Sequence, residues 1–279
     1  MKIAVTGASG FVGRHVIREL TTRPGIEVVA CSRTGVGDSV ALDIAAPDQK
    51  ASFDRLGRPD AVIHLAWSGL PNYKALHHFE THLAQQYHFL SALVRAGLGS
   101  LTCVGTCLEY GMRSGEVQET MVTDPTTPYG FGKDALRRQL QLLRVTAPFE
   151  LTWARLFYMF GEGQQITSLY PQVLAAMARG DRSFRMSRGE QLRDFLPVEL
   201  VAKTIVALAI DAPGAGIVNV CSGVPVSVRS QVERWVADRH SDMQLELGCY
   251  PYLDYEPMAF WGSNARLGQV MSGNEAVRT

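Results

Sequence analysis

Short apolar, β-branched runs recur along the chain with helix-length segments between them: KIAVTG (2–7), IEVVACS (26–32), AVIHLA (61–66), LTCVGT (101–106) and ELTWARLF (150–157). Runs with so little polar alternation predict strands buried on both faces. Strands separated by helices predict a doubly wound α/β fold around a parallel sheet. Between 72 and 96, Leu76, Phe79, Leu83, Tyr87, Leu90 and Val94 recur at three- and four-residue steps. This spacing predicts a helix with one apolar face, which Gly97 stops. After residue 158 the rhythm changes. Helices are predicted over 169–179, 198–211 and 227–239, a Gly/Arg-rich patch over 180–193, and a further strand within GIVNVCSG (216–223). The stretch 243–279 is rich in Tyr, Pro and Trp and shows little periodicity. The expected organisation is a main α/β domain over 1–157, with 194–222 returning to it, and a smaller lobe built from 158–193 and 223–279.

A chain of 279 residues can bury a substantial core as one unit or two coupled domains. Lys+Arg and Asp+Glu are both 27, so the formal charge is zero. That balance gives no footprint for nucleic acid or an acidic membrane, and any anionic ligand must be held locally. With no cleavage-site pattern and no spanning apolar stretch, the chain reads as soluble and cytoplasmic. The five cysteines, Cys31, Cys103, Cys107, Cys221 and Cys249, fall mostly in strand-like runs. They suit reduced core thiols better than disulfides. Alternation on a strand would send Cys103 and Cys107 to one face, with no histidine pair beside them, so no metal is expected there.

TGASGFVG (6–13) follows the first strand and opens the first helix. Glycines at 7, 10 and 13 allow a tight turn, close approach of backbone to a pyrophosphate and close packing of helix on strand. The helix N-terminus adds N–H donors and a partial positive charge. Dinucleotide contacts are expected at Gly7, Ser9, Gly10, Phe11, Val12 and Gly13. At the end of the second strand, where a carboxylate would grip the ribose 2′-OH of NAD, the chain has Ser32 and Arg33. A hydroxyl and a guanidinium suit a 2′-phosphate, which favours NADP, with NAD possible. Asp43 and Ile44 are expected beside the adenine.

In TPYGFGK (127–133), Tyr129 and Lys133 are four residues apart at the start of a helix and share one face. Together with VIHLA (62–66), VGTCLEYG (104–111), ARLFYMFGEGQ (154–164) and RDFLPVE (193–199), in this order, the motifs resemble those of the extended short-chain dehydrogenase/reductases acting on nucleotide sugars. More narrowly, the chain is similar to bacterial reductases and epimerases of nucleoside-diphosphate 6-deoxyhexoses. The resemblance implies a Thr106, Tyr129, Lys133 triad and further cofactor contacts at Leu65, Ala66, Trp67, Tyr129, Lys133 and Phe157. In that scheme Lys133 favours the Tyr129 phenolate and holds the nicotinamide ribose. Tyr129 passes a proton to the carbonyl oxygen as the cofactor delivers hydride, and Thr106 hydrogen-bonds the same oxygen.

Departures narrow the reaction. The 4,6-dehydratases of that family carry an Asp-Glu pair directly after the Thr, where this chain has Cys107 and Leu108, and Glu109 would point to the other side of an extended segment. Dehydration is disfavoured. Cys107 is a substrate contact or a buried structural thiol. His82 replaces the usual asparagine of the central helix. His78 and His82 have a spacing that suits two metal ligands, but no third ligand is evident and no metal is expected. The resemblance places a nucleoside diphosphate between the lobes, with Arg193 on its phosphates unless a salt bridge to Asp194 or Glu199 claims it. Gln164, with Ser168 and Gln172, is a polar substrate contact, and Tyr250, Tyr252, Tyr255 and Trp261 either close over the ligand or pack. Three activities stay open: NADP(H)-dependent reduction of a nucleoside-diphosphate 4-keto-6-deoxyhexose, 4-epimerisation with retained NAD, and non-catalytic dinucleotide sensing. A homodimer pairing helices 72–96 and 129–145 is expected.

Overall fold

The computed structural model describes residues 1–275 apart from Val36, Pro47 and Leu253. Seven strands build its main sheet: β1 (Lys2–Thr6), β2 (Glu27–Ser32), β3 (Val40–Ala41), β4 (Ala61–His64), β5 (Ser100–Thr106), β6 (Glu150–Leu156) and β7 (Gly216–Val220). Their order across the sheet is β7-β6-β5-β4-β1-β2-β3, and each neighbouring pair is parallel. The doubly wound α/β fold predicted from the apolar runs is the one observed. Strand order reverses at β1 and β4, which opens a crevice at the C-terminal strand ends.

The longer helices are α1 (Phe11–Thr21), α2 (Leu83–Arg95), α3 (Pro128–Thr146), α4 (Leu169–Ala178), α5 (Val198–Ile210), α6 (Val228–Asp238) and α7 (Ala265–Glu275). On one face of the sheet, Phe89, Leu90 and Leu93 of α2 and Leu136 and Leu140 of α3 pack against Val62, Leu101 and Trp153. On the other, Val16 and Leu20 of α1 and Val201, Ile205 and Leu208 of α5 cover Ile3, Val5 and Ile63. A separate apolar cluster joins α4 and α6 through Val173, Ala176, Val232 and Trp235. No helix among the described residues is long and apolar enough to cross a membrane.

Three expectations need correction. The helix predicted over 72–96 begins as α2 at Leu83. A π turn, His78–His82, precedes it, and residues before His78 form turns. Leu76 and Phe79 are accordingly exposed, and only the later part of the apolar stripe, with Phe89 and Leu93 beside Leu90 and Val94, enters the core. The tail, which shows no helical period, contains α7. Leu267 and Met271 of α7 pack against the same cluster as Val218 and Val220 of β7, so α7 lies on the main sheet and not with the small lobe. Cys103 and Cys107 do not share a face either. The strand ends at Thr106, and the two thiols enter different apolar clusters.

All five cysteines are free thiols, and four are buried. Burial pushes Cys31 and Cys103 up to about 12 and also raises Cys107 and Cys221. As pH rises above the ordinary thiol value of 9.0, the unfolded chain loses these protons while the folded chain keeps them, so stability falls. Each such thiol costs about 1.4 kcal/mol per pH unit in that window. Lys133 acts oppositely, because burial pulls it down to about 8, but it is one group against four. The melting temperature in reductant is therefore expected to decline steeply above pH 9, and a Cys31→Ala variant should decline less; a flat profile to pH 10.5 would contradict the thiol account.

Candidate active site

The glycine-rich turn is shaped for close approach. Gly7 has φ +72, and a Cβ there would meet the Ala66 backbone nitrogen at 2.8 Å; a Cβ on Gly13 would lie 2.1 Å from the Gly7 carbonyl oxygen. A side chain at either position would separate α1 from β1 or β1 from the β4 end. The cleft beside this turn has a volume of about 380 Å³, and Gly7, Ser9, Gly10, Ser32, Arg33, Asp43, Ile44, Leu65, Ala66 and Trp67 line it. These are ten of the expected dinucleotide contacts. Phe11, Val12 and Gly13 stand behind the turn in the first turn of α1, where they offer backbone donors and not cleft surface. Ser32 is buried, and its hydroxyl accepts from the Gly35 N–H and pairs with Ser39 at 2.8 Å, so it braces its own loop. Arg33 is exposed at the cleft mouth. His82 also lines the cleft, as do Gln85 and Gln86, which no sequence motif marks.

Thr127 caps α3 through Gly130, which places Tyr129 and Lys133 in its first two turns. The glycines of YGFGK let the helix approach closely. A Cβ on Gly130 would lie 2.6 Å from the Leu108 carbonyl oxygen, and one on Gly132 2.7 Å from that of His78. Tyr129 is thereby pressed among Trp67, Tyr73 and His78, with ring centroids 5.9, 5.5 and 5.3 Å away. Tyr73 is a site residue that no motif indicates. Burial first, then Tyr73, Glu109 and Cys107, push the phenol of Tyr129 well above its ordinary value, while the Thr106 hydroxyl pulls it back. The expected lowering by Lys133 does not govern. Its ammonium donates to the Val104 carbonyl at 2.8 Å and lies 4.2 Å from the Trp67 ring centroid. In the free protein Tyr129 is a protonated acid.

Thr106 ends β5 and caps a 3-10 turn, Cys107–Tyr110, so Glu109 does not continue an extended segment. The Glu109 carboxylate turns back into the core with no exposure. It accepts from Thr106 N at 2.9 Å, Trp153 Nε1 at 2.9 Å and Arg155 Nε at 2.8 Å, with Arg137 Nε at 3.7 Å. Its role is to hold the Thr106 backbone and balance the charge of Arg155, whereas Arg137 pairs chiefly with Asp134.

Beyond Tyr129, Arg193 is buried, but its ion pair is neither with Asp194 nor with Glu199. Nη2 donates to Glu256 of the tail at 3.0 Å, and the guanidinium lies 5.3 Å from the Tyr158 ring centroid. Asp194 instead accepts from Ser222 and Gly223 N–H groups. Cys107 is close enough to both Glu256 and Arg193 to feel their charges. Phe157 stacks on Phe260 in the buried apolar cluster that also holds Cys107, and it does not line the cleft. Gln164 donates to the Met159 carbonyl, Gln172 to that of Thr167, and the Ser168 N–H bonds Gln165, so all three serve their own loops. Of the tail aromatics, Tyr255 reaches the site, 6.3 Å from Tyr73, whereas Tyr252 bonds Glu190 and Tyr250 faces Arg185. Trp261 sits in a short strand beside Glu116. Sequence distance hid Glu256, since nothing local to it signals an active-site role.

The sequence matches the NAD dependent epimerase/dehydratase family over residues 3–221. The chain belongs to that family. The expected class, an NAD(P)-dependent enzyme, stands with it. Among curated relatives, dTDP-6-deoxy-L-talose 4-dehydrogenase (NAD(+)) of Aggregatibacter actinomycetemcomitans is 29% identical over 272 residues, covering 94% of this chain and 100% of the relative. GDP-6-deoxy-D-mannose reductase of Pseudomonas aeruginosa is 26% identical over 83% of this chain and 78% of its own. Among solved structures, MoeE5 in complex with UDP-glucose and NAD has a TM-score of 0.81 at 24% identity, covering 98% of this chain and 92% of that one. RMD from Pseudomonas aeruginosa complexed with NADPH has a TM-score of 0.75 at 23% identity, covering 97% and 92%. At these identities the structural likenesses establish the fold; one of these neighbours was solved with NAD and the other with NADPH.

Proposed function

We propose that the protein is an NADP(H)-dependent reductase of a nucleoside-diphosphate 4-keto-6-deoxyhexose. The observation that carries this reading is that Tyr129, beside the Thr106 hydroxyl, and Lys133 both pack against Trp67, a wall of the glycine-lined cleft. The names of the talose dehydrogenase and mannose reductase relatives support the 6-deoxyhexose class. The bound nicotinamide would supply hydride to the sugar carbonyl carbon. Tyr129, protonated by its burial, gives the proton to the carbonyl oxygen, and the Thr106 hydroxyl hydrogen-bonds that oxygen as charge develops. Lys133 exchanges the Val104 carbonyl for ribose hydroxyls, and Trp67 excludes water from its ammonium. Cys107 and Leu108 provide no acid–base pair, which speaks against dehydration. Arg193 takes the diphosphate, and Glu256 is the anion with which that diphosphate competes.

Arg33 at the cleft mouth favours NADP. Ser32, being committed to its loop, adds little. The exposed row of Leu76, Phe79, Phe131, Leu142 and Val145 supports a homodimer through the α3 side. The test of function mixes protein with NADPH or NADH and dTDP- or GDP-4-keto-6-deoxyhexoses, following cofactor absorbance and identifying the product. NADPH should be consumed in preference to NADH. An Arg33→Ala variant should raise the KM for NADPH about tenfold, the worth of one charge-assisted hydrogen bond, with little change for NADH. Interconversion of 4-epimers by protein that purifies with its own dinucleotide would replace this reading with epimerisation, and no cofactor oxidation with any substrate would end it.

A further inference from the structure

The fold assembles three histidines where the sequence offered two. One ring nitrogen from each of His77, His78 and His82 lies within 4.8 Å of the other two. On an α-helix, positions i and i+4 align, which points to His78 and His82 alone. The wider π turn over His78–His82 changes the partner. His77 and His82 rings are 4.7 Å apart, centroid to centroid, against 5.8 Å for His78 and His82. The missing third ligand that argued against a metal in the sequence is therefore present.

Hydrogen bonding prepares these imidazoles from outside. His77 Nε2 and His82 Nδ1 are buried without a partner among the described residues. The other nitrogen of His82 bonds the Ser68 hydroxyl at 3.1 Å. Trp67 Nε1 can only donate, and it lies 3.1 Å from His78 Nδ1, so that nitrogen is a lone pair. His78 Nε2 then carries the proton and donates it to the Asn72 carbonyl at 2.8 Å. An imidazole tied outward to a carbonyl or hydroxyl, with a lone pair inward, is the usual state of a metal ligand.

We propose that His77 Nε2, His78 Nδ1 and His82 Nδ1 form a binding site for a divalent transition-metal ion of the zinc class, with a water or other small ligand in the fourth position. Three imidazoles without a carboxylate select zinc, cobalt, nickel or copper over magnesium or calcium. Bonds of about 2.0–2.1 Å require the three nitrogens to draw closer than they stand, and His77 Nε2, now packed against Gly69, must move with them. His78 gives up the Trp67 N–H when it binds. Because Trp67 and His82 line the dinucleotide cleft, metal occupancy and dinucleotide affinity are coupled. The site borders the reaction centre proposed above through His78 and Tyr129, but metal binding is measured without turnover, so either reading can fail alone.

Tag-free protein is dialysed against Zn²⁺ and, separately, titrated with Co²⁺ while the visible spectrum is recorded. The expected result is one saturable equivalent per chain, with the intense bands of a four-coordinate cobalt site. His77→Gln and His82→Gln should each weaken binding at least about tenfold while circular dichroism stays native, and His88→Gln, at an exposed position on α2, should bind as the wild type does. Absence of saturable binding by wild-type protein, or affinity unchanged in both His77→Gln and His82→Gln, overturns the proposal.

Discussion

Replacing Tyr129 with phenylalanine is expected to lower kcat by about 10²–10⁴-fold, the usual contribution of a positioned proton donor, while dinucleotide affinity changes little. The ring is fixed by Trp67, Tyr73 and His78, and phenylalanine fills the same cage, so the loss isolates the hydroxyl. Because burial keeps the phenol protonated in the free protein, the group is ready as an acid for reduction, and as a base for the reverse reaction only once a cation is bound beside it. Lys133, pulled down to about 8, loses its charge as pH rises through that value, so kcat/KM for reduction should decline above it. Stopped-flow cofactor binding and steady-state rates of the variant decide the matter. A Tyr129→Phe enzyme turning over at near-normal rate would falsify the assignment of Tyr129 as proton donor.

The largest stability effect is expected at Glu109. Its carboxylate is fully buried and satisfies Thr106 N, Trp153 Nε1 and Arg155 Nε, with Arg137 beside it. Glu109→Ala leaves buried guanidinium charge without an anion, a change that costs about 3–5 kcal/mol. Glu109→Gln keeps hydrogen-bond acceptance but not the charge and should fall between. Urea unfolding with intrinsic fluorescence measures both, and an alanine variant within 1 kcal/mol of wild type would mean that the network carries no such weight. Since the same carboxylate holds the Thr106 backbone, any folded Glu109 variant should also lose activity.

What was legible in the sequence follows from how local each signal is. Strands such as Ala61–His64 are wholly buried, and an unbroken apolar run reports that directly. The glycine turn and the Tyr129–Lys133 spacing are contained within eight and five residues, and both were legible for that reason. The π turn was not, because apolar spacing cannot distinguish turns of different width when Leu76 and Phe79 keep their hydrophobic side chains outside. Glu109 looked like part of a strand, since nothing local announces that Thr106 becomes a cap. For Arg193 the sequence offers Asp194 and Glu199 as counter-ions, but the true one lies in the tail, and a pairing across such a distance is set by the path of the chain.

That tail joins two distant places. Near its middle Glu256 grips Arg193, and shortly afterwards α7 is packed onto β7, the outermost strand of the sheet. The segment behaves as a tether with one end on Arg193 and the other anchored at the edge of the sheet. Any ligand that draws Arg193 away from Glu256 must therefore tug against that anchor, and the ease of that exchange is set partly by how firmly the edge is moored.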